Sequence, residues 1–291
     1  MKRPIGLVVM CALAAPAAAE RRLVRVVKDI AYRAAVPGAD GQGRLDLYLP
    51  QGRSGAPVIV WYYGGALQAG DKSDATEVGA AERFAAAGIA TAVVNYRLSP
   101  AVSHPAHIED AAASFAWVKR HIAEYGGDPD RVFVVGHSAG AYLLTLLATD
   151  ERYLAAHGLT ARDIRGLVPV SAFFWVERTG VAPDRPKTVW GTDEKVWADA
   201  SVWADASPAH HLRAGLPPML ILYADGDEPW RRQQNEEFER EVRKAGNARV
   251  GIVRIAGRTH MSILNHLKDD DDPASNNIVA FVNATSHASR E

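Results

Sequence analysis

The stretch of residues 131–148 limits the possible folds of this chain most strongly. Four consecutive apolar residues at 132–135 predict a short buried strand, and the residues after Ser138 are apolar at helical density. The chain must therefore pass from strand to helix within about two residues. Ser138 lies at that corner, between Gly136 and Gly140. The pattern predicts a tight strand-to-helix turn that exposes one serine side chain.

Glycines on both sides of Ser138 suit such a turn, because the strand and helix backbones pass very close together there. A serine held in this way forms a nucleophile elbow. The N-terminus of the following helix adds free N–H groups that suit a developing negative charge. The alternative is an ordinary turn without function. Because the five-residue pattern is short, the flanking strand and helix carry the prediction.

Strand and helix patterns alternate along the rest of the chain. The predicted strands are residues 23–30, 44–49, 57–63, 89–96, 132–135, 166–170, 219–224 and 250–255. The predicted helices are residues 75–87, 108–125, 139–150, 231–245 and 275–284. Such alternation predicts an α/β fold, with a mostly parallel central sheet of about eight strands and helices on both faces. The first two strands have no helix between them, which predicts an antiparallel hairpin at the sheet edge.

Residues 1–19 are interpreted as a secretory signal peptide. Two basic residues precede an apolar run at 5–15 that is too short to span a bilayer, and three alanines supply a cleavage site. The pattern predicts a periplasmic or secreted protein in which residues 20–291 form one domain. The single cysteine, Cys11, lies in the removed segment, which excludes a cysteine nucleophile and a thiolate metal site.

Charge and hydropathy exclude several other classes of protein. The chain has 33 Lys and Arg against 34 Asp and Glu, without the basic patch that nucleic-acid binding requires. After residue 19 the sequence contains no apolar run long enough to predict a membrane span. The acidic run at 269–272 lacks the alternating ligands and glycine of a calcium loop, so a solvated loop is the better interpretation. We predict no metal, no cofactor and no nucleic-acid partner.

The segment at about 171–216 departs from the alternation. It contains Val-Trp-Ala-Asp-Ala-Ser twice in tandem, at 196–207. A loop of this length in a compact domain is typical of a lid or binding segment, although the duplication can also be a simple repeat with helical propensity. Phe173, Phe174 and Trp175 follow a predicted strand directly. They can form the apolar wall of a substrate pocket or pack in the core.

A serine nucleophile needs a base within hydrogen-bond reach and a carboxylate behind that base. In folds with this elbow the acid and then the histidine follow the serine along the chain. Six histidines follow Ser138, and only His260 comes a few residues after the last predicted strand. A loop there can fold back over the strand ends. His260 is the predicted base, with a structural surface histidine as the alternative.

The acid is expected just after the preceding strand, where three carboxylates occur within four residues. Asp225 precedes a glycine and suits a role in the turn. Asp227 follows that glycine, where the loop can point inward, and is the predicted acid. Glu228 remains the competing candidate.

An oxyanion hole needs backbone N–H groups from a second loop. The run at 61–67 follows the third predicted strand and contains two adjacent glycines. Gly65 and Ala66 are the predicted donors there, and Ala139 is the predicted donor beside the nucleophile. The alternative is a tight glycine turn without function.

These segments together resemble a known family. The matching segments are Tyr63-Gly-Gly-Ala66, Gly70-Asp-Lys72, Asn95-Tyr-Arg-Leu-Ser-Pro100, His104-Pro-Ala-His-Ile-Glu-Asp110, Gly127-Asp-Pro-Asp130, Gly136-His-Ser-Ala-Gly140 and Gly257-Arg-Thr-His260. From about residue 44 to the end, the chain resembles α/β-hydrolase esterases of the hormone-sensitive-lipase-like and feruloyl-esterase-like (BD-FAE-type) groups. The resemblance implies an α/β-hydrolase fold and cofactor-independent hydrolysis of carboxylic esters. It also implies a structural ion pair between Arg97 and Asp110 that supports the oxyanion loop.

The chain departs from this family at the oxyanion loop. The His-Gly-Gly-Gly sequence of the family is replaced by Tyr63-Gly64-Gly65-Ala66. The donors are backbone N–H groups, so both changes keep them. We expect the changes to affect the width of the pocket and the acyl or alcohol groups that it admits.

The leading hypothesis is a serine carboxylesterase that hydrolyses small or aromatic carboxylic esters through a Ser-His-Asp triad and an acyl-enzyme. An aryl formamidase or another amidase would use the same residues on a C–N bond. A binding protein derived from a hydrolase, without catalysis, is the second class to consider.

Overall fold

The computed structural model describes residues 23–34, 41–179 and 200–288. The predicted signal peptide at 1–19 and the first four residues of the tandem repeat, 196–199, lie outside these ranges, and the signal peptide stays a prediction. Within the described ranges, no helix is long and apolar enough to cross a membrane.

The described residues form one eight-stranded sheet. The strands are β1 (Val24–Ala31), β2 (Arg44–Pro50), β3 (Ala56–Tyr62), β4 (Ala90–Val94), β5 (Gly127–His137), β6 (Gly166–Val170), β7 (Met219–Gly226) and β8 (Val250–Thr259). Their order across the sheet is β1-β2-β4-β3-β5-β6-β7-β8. β2 is antiparallel to both of its neighbours, β1 and β4, and every other pair is parallel. The predicted parallel sheet with an antiparallel edge hairpin is confirmed.

Helices cover the sheet on both faces. Their bounds are α1 (Ala75–Ala86), α2 (Ala106–His121), α3 (Ala139–Thr149), α4 (Glu151–Ala155), α5 (Ala200–Ala206), α6 (Pro229–Lys244), α7 (Ser262–Asn265) and α8 (Pro273–His287). The predicted helix at 108–125 is α2 followed by a separate 3-10 turn at Ile122–Tyr125. α4, α5 and α7 were not predicted, because helices this short carry too few residues for a periodic pattern.

The central strand β3 shows how the core is divided. All seven of its residues are buried, and successive side chains point to opposite faces of the sheet. Val58, Val60 and Tyr62 pack in the apolar layer that also contains residues of α2, α3 and α6. Ile59 and Trp61 pack in the other layer, with residues of α1 and α8. A strand buried on both faces reads as a continuous apolar run, as this one does.

The predicted site residues share one edge of the sheet. Tyr63, Ser138, Asp227 and His260 are each the first residue after β3, β5, β7 and β8, respectively. These four strands are parallel, so their carboxyl ends lie along the same edge. The sheet therefore brings together loops that are far apart in the sequence.

Candidate active site

The turn at Ser138 has the conformation that the sequence predicts. Ser138 has φ 53° and ψ −115°, a left-handed conformation that is unfavourable for a residue with a β-carbon. A β-carbon on Gly136 or Gly140 would overlap the carbonyl oxygen of Tyr62. Both glycines are therefore needed for the close approach of β5 and α3 to β3.

The structure brings three predicted residues into one hydrogen-bond chain. The Ser138 hydroxyl oxygen lies 3.0 Å from Nε2 of His260, and Nδ1 of His260 lies 2.7 Å from Oδ1 of Asp227. The His260 side chain is 21% exposed, whereas the Asp227 side chain is 0% exposed. A serine, an imidazole and a buried carboxylate in this order can remove a proton from the hydroxyl.

The carboxylate of Asp227 is held by further donors. Its Oδ2 accepts hydrogen bonds from the Ser171 hydroxyl at 2.6 Å and from the Ala224 N–H at 2.9 Å. Burial works to raise the pKa of Asp227, but the hydrogen bonds from His260 and Ser171 hold it below its ordinary value. Asp227 is therefore ionised at neutral pH and can favour a positive charge on His260.

The two competing carboxylates have other partners. Glu228 accepts from Nε of Arg231 at 3.2 Å and lines the cavity beside the site. Asp225 accepts from the N–H of Gly257 at 3.1 Å and so joins the carboxyl ends of β7 and β8. Of the three, Asp227 is the one hydrogen-bonded to the imidazole.

The predicted oxyanion loop forms a left-handed turn. Gly65, Ala66 and Leu67 have φ values of 99°, 55° and 61°. The carbonyl oxygen of Gly65 accepts from the N–H groups of Gln68 and Ala69, both at 3.0 Å. A β-carbon on Gly65 would overlap the Ala69 backbone, so this position requires glycine.

Two of the three predicted oxyanion donors reach the cavity. Gly65 and Ala66 line it with Ser138, and their N–H groups make no backbone hydrogen bond to any residue that the structure describes. Ala139 is buried directly behind Ser138 as the first residue of α3, where an N–H has no intrahelical partner. Gly64, which the sequence analysis did not single out, lies against the Ser138 side chain.

Two interactions support this loop from below. The Tyr96 hydroxyl donates to the carbonyl oxygen of Tyr63 at 2.8 Å, and the two rings stack with their centroids 4.5 Å apart. The implied ion pair is present: Nε and Nη2 of Arg97 each lie 2.9 Å from a carboxylate oxygen of Asp110, whose side chain is fully buried. Arg33 also donates to Asp110. The residue next to Tyr96 is thus fixed to α2.

A cavity of about 560 Å³ opens beside Ser138. Its lining includes the oxyanion loop, the aromatic side chains of Phe173 and Trp230, and Met261 and Leu264 from the β8–α7 region. Polar side chains from the start of α1, among them Thr76 and Glu77, complete it. The cavity thus has an apolar wall and a polar wall that meet at Ser138.

The three aromatic residues after β6 have different roles, in the cavity wall and in the core, which are the two roles that the sequence allows. Phe173 lines the cavity and stacks on Tyr142. Phe174 stacks on Phe238 in the core, with centroids 3.8 Å apart, and Trp175 meets the same ring edge-on. Only the first of the three therefore belongs to the cavity wall.

The predicted lid segment is described only in part. Its residues in α5 pack against the body of the domain, where the Tyr142 hydroxyl donates to the carbonyl oxygen of Ala206 at 2.9 Å. His104 and Asp205 pair at 2.8 Å. None of the α5 residues lines the cavity. A lid function for 171–216 stays a prediction.

Three residues at the site were not identified from the sequence. Ser171 follows β6 directly, so its place at the same sheet edge was a usable signal. His137 precedes Ser138 inside the five-residue motif, where no sequence pattern marks it as a separate contact. Glu77 lies in the first turn of α1, where nothing in its local sequence indicates burial in a cavity.

Glu77 is a buried carboxyl group in the cavity wall. The indole N–H of Trp61 donates to it, and its residue is only 4% exposed. Burial raises the pKa of Glu77 from 4.5 to about 7. The folded protein therefore binds this proton more tightly than the unfolded chain does.

The contribution of Glu77 to the free energy of unfolding should fall as the pH rises from about 4.5 to about 7. A shift of this size corresponds to roughly 3 kcal/mol. Glu77→Gln should remove this contribution, which is measurable as a flatter dependence of urea unfolding on pH between 5 and 8 than in the wild type. Glu82→Gln, on the exposed side of the same helix, is the control and should keep the wild-type slope. Identical slopes in wild type and Glu77→Gln would contradict the prediction.

Asp227, Glu228 and His260 place ligand atoms within 4.8 Å of one another, a spacing that a metal ion can bridge. Asp227 and His260 are hydrogen-bonded to each other, and Glu228 pairs with Arg231. An ion would have to displace the proton that joins Asp227 to His260. The donor set therefore fits proton transfer better than metal binding.

Comparison with known proteins gives a consistent family. The BD-FAE family model matches residues 45–242. A probable carboxylic ester hydrolase, LipM, of Mycobacterium tuberculosis is 29% identical over 81% of this chain and 57% of its own length. A probable isoprenylcysteine alpha-carbonyl methylesterase, ICMEL1, of Arabidopsis thaliana is 26% identical over 79% of this chain and 51% of its own length. The chain thus spans little more than half the length of these relatives.

Solved structures share the fold over nearly the whole chain. A truncated carbohydrate esterase from gut microbiota has a TM-score of 0.77 at 19% identity and covers 92% of this chain and 99% of its own. Esterase 2 of Thermogutta terrifontis has a TM-score of 0.70 at 24% identity and covers 96% of this chain and 100% of its own. At these identities the likeness concerns the fold, and the predicted α/β-hydrolase fold is confirmed.

Proposed function

This chain belongs to the BD-FAE family, and from that premise we propose that it is a serine carboxylesterase acting on small or aromatic esters. In this proposal Ser138 is the nucleophile, His260 the general base and Asp227 the acid that orients His260. The observation that carries it is the continuous hydrogen-bond chain from the Ser138 hydroxyl to a fully buried carboxylate, at the wall of a cavity.

Acylation follows from these contacts. The Ser138 oxygen attacks the ester carbonyl carbon as Nε2 of His260 takes the hydroxyl proton. Asp227 accepts from the other imidazole nitrogen, which keeps Nε2 free to receive that proton and stabilises the imidazolium. The oxyanion meets the N–H groups of Gly65, Ala66 and Ala139. Collapse of the tetrahedral intermediate breaks the C–O bond, and the leaving alkoxide takes the proton from His260.

Deacylation repeats the same steps with water. His260 removes a proton from a water molecule as the water oxygen attacks the acyl carbon, and it passes that proton to the Ser138 oxygen when the acid leaves. The alcohol has thus taken the original Ser138 proton and water has replaced it, so Ser138 and His260 end the cycle in their starting protonation states. No metal or cofactor takes part in the proposed reaction.

The shape of the cavity supports the proposed substrate class. A volume of about 560 Å³ falls within the range of ordinary small-molecule sites. Phe173 and Trp230 line it, and the Arg231 guanidinium lies 4.4 Å from the centre of the Trp230 ring. Flat apolar walls of this kind suit an aromatic acyl or alcohol group.

Parallel assays test the proposal against its alternatives. We expect turnover of aryl acetates and labelling of Ser138 by a fluorophosphonate. Hydrolysis of a formyl anilide without hydrolysis of acetates would favour an amidase. Absence of both turnover and labelling would favour a binding protein.

Ala66→Gly tests the altered oxyanion loop. Glycine should remove left-handed strain of about 1–2 kcal/mol and add about 0.5–1 kcal/mol of unfolded-state entropy, so we expect a protein up to about 1.5 kcal/mol more stable. Turnover of aryl acetates should stay within about threefold, since the backbone donor is kept. Urea unfolding and kcat/KM on acetate and longer acyl esters provide the measurements.

Gly65→Ala makes the reverse substitution at the neighbouring residue, where the added β-carbon would overlap the Ala69 backbone. It should lose both stability and turnover. A large loss of acetate turnover in Ala66→Gly would mean that the Ala66 methyl group contributes to the oxyanion site.

A further inference from the structure

His137, the residue before Ser138, makes a direct contact with the proposed base. Its Nε2 lies 2.8 Å from the carbonyl oxygen of His260, and the two imidazole rings have centroids 4.7 Å apart. A carbonyl oxygen can only accept a hydrogen bond, so Nε2 of His137 carries the proton and donates it. The last side chain of β5 thus holds the backbone of the residue that follows β8.

The other side of the His137 ring faces the oxyanion loop. A β-carbon on Gly64 would lie 3.0 Å from Nδ1 of His137. The ring therefore fills the space between Gly64 and the His260 backbone. Both loops that must meet a substrate ester at Ser138 rest on this one imidazole.

His137 stays neutral over the working range of pH. Burial lowers the pKa of His137 to about 3, and the neighbouring His260 acts in the same direction. The ring therefore does not compete with His260 for the proton from Ser138. It keeps one donor and one acceptor nitrogen throughout.

Packing alone does not account for a histidine here. The Nδ1 atom is buried and has no hydrogen-bond partner among the described residues, which is unfavourable. An apolar side chain of similar size would fill the space without that cost. The hydrogen bond from Nε2 is the interaction that an apolar side chain could not make.

We propose that His137 is a positioning residue, whose hydrogen bond to the His260 backbone sets the imidazole of His260 between Ser138 and Asp227. The inference rests on the proposed function for its kinetic consequences. Its structural consequence, the geometry of the bond between His260 and Asp227, can be measured without any substrate.

Two substitutions separate positioning from packing. In His137→Gln the amide nitrogen ends the same number of bonds from Cα as Nε2, so the donor is kept. His137→Leu fills similar space without a donor. His137→Asn is a second variant without the contact, because its amide ends one bond short.

Kinetics on an aryl acetate give the first test. We expect His137→Gln to keep kcat within about threefold, and His137→Leu and His137→Asn to lose about 10- to 100-fold in kcat with KM nearly unchanged, as for a misplaced catalytic group. Thermal unfolding of the folded variants serves as the control for packing. Equal kcat in the Gln, Leu and Asn variants, or a loss confined to KM, would overturn the proposal.

Proton NMR gives the second test and needs no ester. The Nδ1 proton that joins His260 to Asp227 should resonate alike in the wild type and His137→Gln, and should shift or broaden in His137→Leu and His137→Asn. An unchanged resonance in all variants would overturn the positioning role. If the wild type turned over no ester while the resonance followed this pattern, the proposed function would fail and the positioning role would stand.

Discussion

Ser138→Ala should abolish ester hydrolysis and leave the fold intact, with kcat reduced by at least about 10⁴-fold. Alanine keeps the backbone and removes the one oxygen that attacks the substrate. His260→Ala should fall to a similar level, because a serine without its base is no longer a nucleophile. The double variant should lose nothing further, since residues that act as a unit have non-additive effects.

Single-turnover and steady-state kinetics on an aryl acetate measure these losses, and urea unfolding checks the fold. Ser73→Ala, at an exposed serine outside the cavity, is the control and should match the wild type. Residual turnover of a few per cent in Ser138→Ala would exclude it as the nucleophile. A further large loss in the double variant would mean that the two residues act in separate steps.

Asp227→Asn should lower kcat by about 10³- to 10⁴-fold, whereas Glu228→Gln should change it by less than about fivefold. The Asn amide can donate to Nδ1 of His260, which would leave the proton on Nε2. The imidazole would then point a donor at Ser138 and could not take its proton. Among the described residues the His260 ring is hydrogen-bonded to Asp227 and not to Glu228, which pairs with Arg231 instead.

The comparison uses both variants under the same conditions, with circular dichroism to check that each is folded. Asp225→Asn is a third member of the series and should act through the loop at Gly257 alone. If Glu228→Gln proved the more damaging change, Glu228 would replace Asp227 as the acid.

The positions of the strands along the chain were accessible from sequence because most of them are short apolar runs between turn residues. β5 shows that local sequence does not predict where a strand begins. Its first residues, Gly127-Asp-Pro-Asp130, read locally as a turn, yet Gly127 pairs with Ala56 of β3 and extends the strand. The same local reading extended α2 through residues that form a 3-10 turn. Pairing between distant segments decides where such strands and helices end. A local sequence pattern carries no information about that pairing.

Some residues of the site can likewise be identified from local sequence, whereas others depend on tertiary contacts. Ser138, Asp227 and His260 each follow a strand, so chain order and sheet topology were enough to propose them, with Glu228 as the competing acid. Ser171 also follows a strand, but its hydroxyl matters only because β6 and β7 are neighbours. The contacts of His137 with Gly64 and His260 join residues more than seventy and more than a hundred positions apart. Such contacts become visible only when the strands are placed side by side.

The position of β8 has a consequence for how the protein is made. Among the strands that the structure describes, β8 pairs with β7 alone, and it brings His260 to a serine 122 residues earlier in the chain. The elbow and the oxyanion loop are synthesised before the proposed base, because translation runs from the N-terminus. In the proposed mechanism the serine therefore becomes reactive only when the eighth strand docks.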